Sequence, residues 1–123
     1  MDRAKVDLLI IQGEDFQPTF QWLAGNQPVD LTGWRAEMHI RRTYEGPVLV
    51  ELTTENGRVI IHDQSKEKGY YTLRIDNQTT ASLFERPRPF KGVYDLFLIR
   101  PDGVRQLHQY GAVSFLPAVT RRI

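Results

Sequence analysis

The chain has 123 residues, of which 41% are hydrophobic and 25% are charged, and its formal net charge is +1. This length is typical of one domain, so we expect residues 1–123 to form a single unit. A nearly neutral chain gives no reason to expect a nucleic acid or a membrane surface as a partner. The absence of cysteine excludes disulfides and a cysteine nucleophile, and it favours folding in a reducing cytoplasm.

Short strands are predicted in the first third of the chain. Apolar residues in 6–12 predict one strand, and those in 16–23 predict a second, in which Pro18 indicates an edge or a bulge. Residues 24–28 have the composition of a loop. The clearest alternation follows, and we place its apolar members in the core: Trp34, Ala36, Met38 and Ile40. We expect Trp34→Ala to reduce the free energy of unfolding by about 3–5 kcal/mol.

The middle of the chain predicts a hairpin and then one further strand. Residues 48–53 alternate, and the dipeptide Asn56-Gly57 favours a tight turn because both residues tolerate positive φ. Residues 58–62 are expected to return alongside 48–53. Tyr71, Leu73 and Ile75 form the inward side of the next strand.

One short helical turn is predicted near residues 77–84. Asn77 or Thr79 could cap it, and Pro87 and Pro89 stop it. Leu83 and Phe84 could hold the turn over the end of the core.

The last third predicts strands again. Residues 92–100 are apolar on both faces, which is typical of a central or covered strand. Pro101-Asp102-Gly103 forms a hairpin turn, strands follow at 104–109 and 111–116, and residues 118–123 form a C-terminal tail. The pattern predicts an all-β fold of about eight short strands, either a sandwich or a barrel. The position of Tyr94 favours a single immunoglobulin-like β-sandwich.

Tyr94 has two interpretations. It follows the helical turn near the start of a strand, which is the position of a tyrosine corner, and its hydroxyl would then bond to backbone within residues 87–92. The alternative is an ordinary core aromatic.

No set of catalytic or metal-binding residues is evident in the sequence. His39, His62 and His108 lie in three different predicted strands without ligand spacing. Glu14 and Asp15 are adjacent and point to opposite faces of a strand, so they make a poor acid–base pair. We therefore expect no catalytic residue, no metal, no cofactor and no enzymatic activity.

Arginines and aromatics near predicted strand ends are the candidates for contacts with a partner protein, because guanidinium groups pair with carboxylates. These partner-binding candidates are Arg41, Arg42, Tyr44, Arg86, Arg88, Phe90, Arg121 and Arg122. Sugar stacking on Trp22 or Trp34 is an alternative, although both lie on the predicted inward side.

Four motifs, in this order, carry a family resemblance: Gln12–Phe16, Pro28–Trp34, Tyr94–Leu96 and the Pro101–Gly103 hairpin. Together they resemble small immunoglobulin-like structural proteins of tailed phages. They are also similar in layout to the N-terminal domain of phage upper-baseplate proteins, which attaches receptor-binding proteins to the tail. The chain differs in lacking a long C-terminal extension after residue 123, which makes a direct fibre role less fitting than that of a small adaptor.

The resemblance implies a virion structural protein that is made in the bacterial host cytoplasm. It would act as an adaptor in the tail, baseplate, collar or fibre-attachment region, in several copies, through contacts with other virion proteins. The alternatives are a carbohydrate- or host-surface-binding module and a capsid decoration subunit.

Overall fold

A computed structural model describes residues 3–122, which form eleven strands and one helix. Three of the strands are only two residues long, so the count exceeds the predicted eight without changing the fold class. The strands are β1 (Ala4–Lys5), β2 (Leu8–Ile11), β3 (Thr19–Gln21), β4 (Leu23–Ala24), β5 (Gln27–Pro28), β6 (Arg35–Arg41), β7 (Val48–Thr53), β8 (Val59–Ile61), β9 (Tyr70–Leu73), β10 (Phe90–Ile99) and β11 (Arg105–Leu116); the helix is α1 (Asn77–Ser82).

The strands form two main sheets, which confirms the predicted all-β sandwich. In the larger sheet the order is β1/β2–β11–β10–β6–β7, and both β1 and β2 run parallel to β11. The smaller sheet has the order β3–β9–β8, and β4 pairs with β5 in a separate hairpin where a loop was predicted. Side chains from both sheets form one continuous core. This strand order is that of an immunoglobulin-like sandwich.

The alternation in β6 sets one face of the core. Ala36, Met38 and Ile40 are buried as predicted, while Glu37 and His39 on the other face are more accessible. Trp34 was predicted to be a core residue, but it lies one residue before β6 and is only half-buried against the core. Its ring packs edge-on against buried Trp22, with 5.3 Å between the ring centroids.

The turn at Asn56-Gly57 forms, but the predicted hairpin does not. Strand β8, which follows the turn, pairs with β9 in the other sheet, whereas β7 pairs with β6. Asn56 explains why the chain turns here, because its side chain accepts from the Thr53 N–H and donates to the Glu51 carbonyl. The turn therefore carries the chain from one sheet to the other.

The helical turn near residues 77–84 is confirmed as α1. Its cap is Asp76, one residue before the first predicted candidate, and the Asp76 carboxylate accepts from the Thr79 N–H at 2.8 Å. The hydroxyl of buried Thr80 accepts from the Gly13 N–H and donates to the Glu14 carbonyl, each at 3.0 Å. These bonds fix α1 against the segment that leaves β2.

One expectation about the final strands is wrong and one is confirmed. Residues 105–116 form one strand, β11, because Gly111 does not end it. A Cβ at Gly111 would collide with the Val6 carbonyl, so glycine allows the N-terminal segment to approach β11. The hairpin turn Pro101–Gly103 forms as predicted between β10 and β11.

The tyrosine-corner interpretation predicted that the Tyr94 hydroxyl would bond to backbone within residues 87–92, and this prediction is wrong. The hydroxyl donates to the Val6 carbonyl at 2.6 Å and accepts from Gln109 Nε2 at 2.9 Å. Gln109 Oε1 in turn accepts from the Tyr71 hydroxyl at 2.6 Å. Burial raises the pKa of both tyrosines, that of Tyr94 to about 12. This chain of bonds joins the two sheets and the N-terminal segment.

Candidate binding surface at the helix end

Several of the candidate residues lie at one end of the sandwich, which we call the helix end. It carries α1, the loops 42–47 and 83–89, and the segment 117–122. The opposite end, which we call the hairpin end, carries the β10–β11 turn Pro101–Gly103.

Three phenylalanines form the base of the helix end. The Phe90 and Phe115 rings stack with 4.3 Å between their centroids and 8° between their planes. Phe84, from the segment after α1, packs edge-on against both rings, with centroid distances of 5.2 and 6.2 Å. Phe84 and Phe115 are buried, whereas Phe90 remains partly accessible. Phe90 therefore presents part of an aromatic ring at the surface.

Arg42 and Phe90, two of the predicted candidates, meet directly. The guanidinium carbon of Arg42 lies 4.2 Å from the centroid of the Phe90 ring. Such cation–π packing holds the guanidinium group in a defined position while its N–H donors remain available. Arg42 is exposed, so these donors can meet a partner.

Arg41 and Tyr44 differ in their roles although both belong to the predicted set. Arg41 is half-buried, and its Nη1 donates to the Gly46 carbonyl at 2.5 Å while its Nη2 lies 3.3 Å from His39 Nδ1. Arg41 thus holds the 42–47 loop in place. Tyr44 lies in that loop with 83% of its surface exposed, which is unusual for an aromatic residue.

Arg86 and Arg88 are exposed in the segment that leads into Phe90. The Arg88 N–H donates to the Arg86 carbonyl at 2.8 Å, which holds this segment in a tight bend. Pro87 and Pro89 restrict its backbone further. The two side chains are therefore presented from a constrained loop next to the Arg42–Phe90 pair.

Arg121 and Arg122 line a separate cleft of about 620 Å³ between α1, the end of β2 and the C-terminal segment. Gln12, Asn77 and Gln78 also line it, and none of them was predicted as a site residue. Arg121 donates to the Ala118 carbonyl, and the Ala118 N–H donates to Gln12 Oε1. The predicted tail therefore folds back beside α1, and Ile123 lies outside the described residues. Nothing in the sequence pattern indicates that this segment would meet Gln12.

The arginines of the two ends differ in their pairing. At the hairpin end and on the sheet beside it, Arg35 pairs with Glu55 at 3.0 Å and Arg105 with Glu37 at 3.2 Å. Arg100 pairs there with Asp102. The hydrogen bonds that the Asp102 carboxylate accepts, first of all from Arg100 and then from the Val104 N–H, lower its pKa to about 2. Across residues 3–122, Arg3, Arg41, Arg58 and Arg74 form no ion pair with a carboxylate. The same is true of five exposed arginines at the helix end: Arg42, Arg86, Arg88, Arg121 and Arg122.

The three histidines lie in different surroundings. His39 bonds to Glu51 at 3.0 Å, and His62 lies 2.7 Å from the Thr72 hydroxyl and 3.3 Å from Glu67. His108 is buried beside Trp22, its Nδ1 has no hydrogen-bond partner in the described chain, and burial lowers its pKa to about 4. No group of three or more metal-ligating side chains occurs within residues 3–122.

Comparisons with known proteins do not assign this chain to a family. No protein-family model matches the chain, and no curated protein sequence matches it. Among solved structures it is similar to a sialyltransferase from Photobacterium damsela (13% identity, TM-score 0.37) and to extracellular domains 3–5 of Drosophila OTK (17% identity, TM-score 0.35). The alignments cover 93% and 89% of this chain but only 18% and 32% of those chains. At these TM-scores we take no function from either protein.

Within the described part of the chain, no helix has the length and apolar character needed to span a membrane.

Proposed function

We propose that this chain is a non-enzymatic structural protein of a phage virion, an adaptor in the tail, baseplate, collar or fibre-attachment region. The observation that carries the proposal is that Arg42, Arg86 and Arg88 form no ion pair with a carboxylate within residues 3–122 and lie at the end of the sandwich where the Phe90 ring is partly exposed. Arginine and tyrosine are enriched among residues that dominate the binding energy of protein interfaces. The sequence resemblance to tailed-phage structural proteins supplies the setting.

The chemistry of this surface favours a partner segment rich in carboxylates. Arg86 and Arg88 lie two residues apart on a constrained loop, and Arg42 is held over Phe90 beside them. Guanidinium groups that are already positioned lose little entropy when they bind a carboxylate in bidentate geometry. In a particle that holds several copies, each contact raises the effective concentration of the remaining binding sites, so the overall avidity exceeds the affinity of one contact.

A glycan-binding module has less support in the structure. Trp22 is 5% exposed, and it packs against half-buried Trp34, so neither ring forms an open stacking platform. Tyr44 remains as a highly exposed ring without an aromatic neighbour among the described contacts. We therefore prefer a protein partner. A capsid decoration subunit would use the same surface, and its position in the particle would distinguish it from a tail adaptor.

Charge reversal tests the proposal. A phage that lacks the gene is complemented with wild-type protein or with the double variant Arg86→Glu/Arg88→Glu, and incorporation is measured in purified particles. Loss of a desolvated ion-pair partner costs on the order of 2–5 kcal/mol of binding, so we expect at least a tenfold loss of incorporation. Wild-type incorporation of the double variant would rule out this loop as the contact.

The matched control reverses two exposed charges with the same spacing elsewhere. Lys66 and Lys68 lie in the exposed loop between β8 and β9, so Lys66→Glu/Lys68→Glu changes the net charge equally. We expect this control to incorporate normally and both double variants to melt like the wild type. Electron microscopy of particles with labelled protein then locates the subunit; a position on the capsid shell would support the decoration alternative.

A further inference from the structure

The two outer edges of the larger sheet are protected differently. At the β7 edge, the turn at residues 54–58 folds over the strand. The Thr53 N–H donates to Asn56 Oδ1 at 3.0 Å, and the Glu51 carbonyl accepts from Asn56 Nδ2 at 2.9 Å and from Arg58 Nη1 at 3.1 Å. These side chains occupy backbone groups that another strand would need, so the β7 edge is partly closed.

The β2 edge is open at Leu9, although the outward-facing carbonyl of Ile11 accepts from the Glu14 N–H at 3.1 Å. The Gln12 N–H donates to the Leu116 carbonyl at 2.9 Å, which shows that Gln12 faces β11. Because backbone groups alternate along a strand, Leu8 and Ile10 also face β11 and the Leu9 N–H and carbonyl point away from it. In the described part of the chain no strand pairs with this side of β2. An unprotected edge of this kind is a template for a further strand.

The side chains at the β2 edge are apolar. Leu8 and Ile10 point into the core, whereas Leu9 lies on the outer face with 49% of its surface exposed. Leu116, beside Ile11 in the register of β11, is 41% exposed. β2 is short, but its four residues include no lysine, proline or bulge, which are three of the devices that keep edge strands apart.

We propose that β2 pairs antiparallel with β2 of a second copy of this chain, around a two-fold axis at Leu9. In this register the Leu9 N–H of each copy donates to the Leu9 carbonyl of the other, and the larger sheet continues through both molecules. A two-fold interface brings identical patches together. The exposed Leu9 side chain of one copy therefore lies beside Leu9 of the other copy, on the outer face of the continuous sheet.

Charge complementarity favours a second copy as the occupant. The register centred on Leu9 directs the chain before β2, which carries Arg3 and Lys5, toward the turn after β2 of the other copy, which carries Glu14 and Asp15. Within residues 3–122, Arg3, Lys5 and Glu14 form no ion pair. The pairing therefore opposes unlike charges at both ends of the new strand pair. This inference concerns β2 alone and does not depend on the proposed virion role.

The test is the mass of the purified full chain by sedimentation equilibrium from micromolar to millimolar concentration. We expect a monomer–dimer equilibrium for the wild type. Leu9→Lys and Leu9→Glu each place like charges opposite each other at the two-fold axis, where they are destabilising. We expect each variant to raise the dimer dissociation constant about tenfold or more.

An equimolar mixture of the two variants provides the decisive measurement. Lysine then faces glutamate across the axis, so we expect the mixture to recover the dimer that each variant lost. The matched control is Ile60→Lys, at a residue of similar exposure (42%) on β8 of the smaller sheet, which should dimerise like the wild type. A monomeric wild type at every concentration would overturn the inference. So would a dimer that both Leu9 variants leave intact, or a mixture that fails to recover.

Discussion

Arginine side chains at the hairpin end and on the sheet beside it have carboxylate partners on their own chain, as in the Arg35–Glu55 and Arg105–Glu37 pairs. Arginines at the helix end, such as Arg42 and Arg86, have none within residues 3–122. Exposed ion pairs contribute little to stability. The difference between the ends therefore has little effect on folding, and it leaves the guanidinium groups of the helix end available to a partner.

The largest expected effect tests whether the base of the helix end is a true part of the core. Phe84 is 8% exposed and packs against two other phenylalanines. We expect Phe84→Ala to reduce the free energy of unfolding in urea by about 3–5 kcal/mol. Because Trp34 at the hairpin end is only half-buried, we now expect Trp34→Ala to cost less, about 1–2 kcal/mol.

Phe84→Leu is the control, since it keeps most of the buried volume and should cost less than the alanine variant. A Trp34→Ala loss equal to that of Phe84→Ala would contradict the ranking, and it would show that the earlier expectation for Trp34 was right.

The second prediction concerns how the free energy of unfolding depends on pH through His108, which is buried nearer the hairpin end. Burial lowers the pKa of His108 to about 4, against 6.5 when it is solvated. Well above pH 6.5 the imidazole is neutral in both the folded and the unfolded state. As the pH falls from 6.5 to 4, the unfolded chain binds a proton that the folded chain does not, so stability decreases by about 2–4 kcal/mol.

Urea unfolding at a series of pH values measures this loss. His108→Phe removes the titrating group and should flatten the profile between pH 6.5 and 4. Phe84→Leu, which removes no titrating group, serves as the control and should keep the wild-type slope. An unchanged slope in the His108 variant would contradict the assignment.

The smallest expected change in the free energy of unfolding compares a paired arginine with an unpaired one. Arg105 pairs with Glu37 and also lies 3.7 Å from the centroid of the Phe97 ring. We expect Arg105→Ala to cost about 0.5–1.5 kcal/mol at low salt and less at high salt. Arg86→Ala should leave the free energy of unfolding unchanged within error at either salt concentration. A comparable, salt-dependent loss for Arg86 would mean that its charge is already satisfied within the chain.

The sequence predicted those parts of the fold that depend on neighbouring residues, such as the alternation within a strand and the residues of a tight turn. Alternation placed Met38 and Tyr71 in the core, and the Pro101–Gly103 hairpin formed where its turn residues predicted it. The turn at Asn56-Gly57 was also correct, but the sheet that receives the next strand depends on residues far along the chain. The partner of the Tyr94 hydroxyl is likewise distant, since Val6 lies 88 residues away.

The candidate surface was predictable in its residue types and not in its arrangement. The meeting of Arg42 with Phe90 depends on how β6 and β10 end beside each other. The pairing of Arg105 with Glu37 joins residues that are 68 apart in the sequence. No local spacing separates an arginine that will find a carboxylate from one that will not.

The parallel pairing of β2 with β11 has a consequence for how the protein is made. The ribosome releases β2 early, yet residues 113–116, to which it pairs, emerge about a hundred positions later. Until then the four apolar residues of β2 have neither their sheet partner nor a completed core. Pairings of such long sequence separation slow folding and prolong exposure to aggregation. The sandwich thus closes in a late step, when the last strand leaves the ribosome and binds the first.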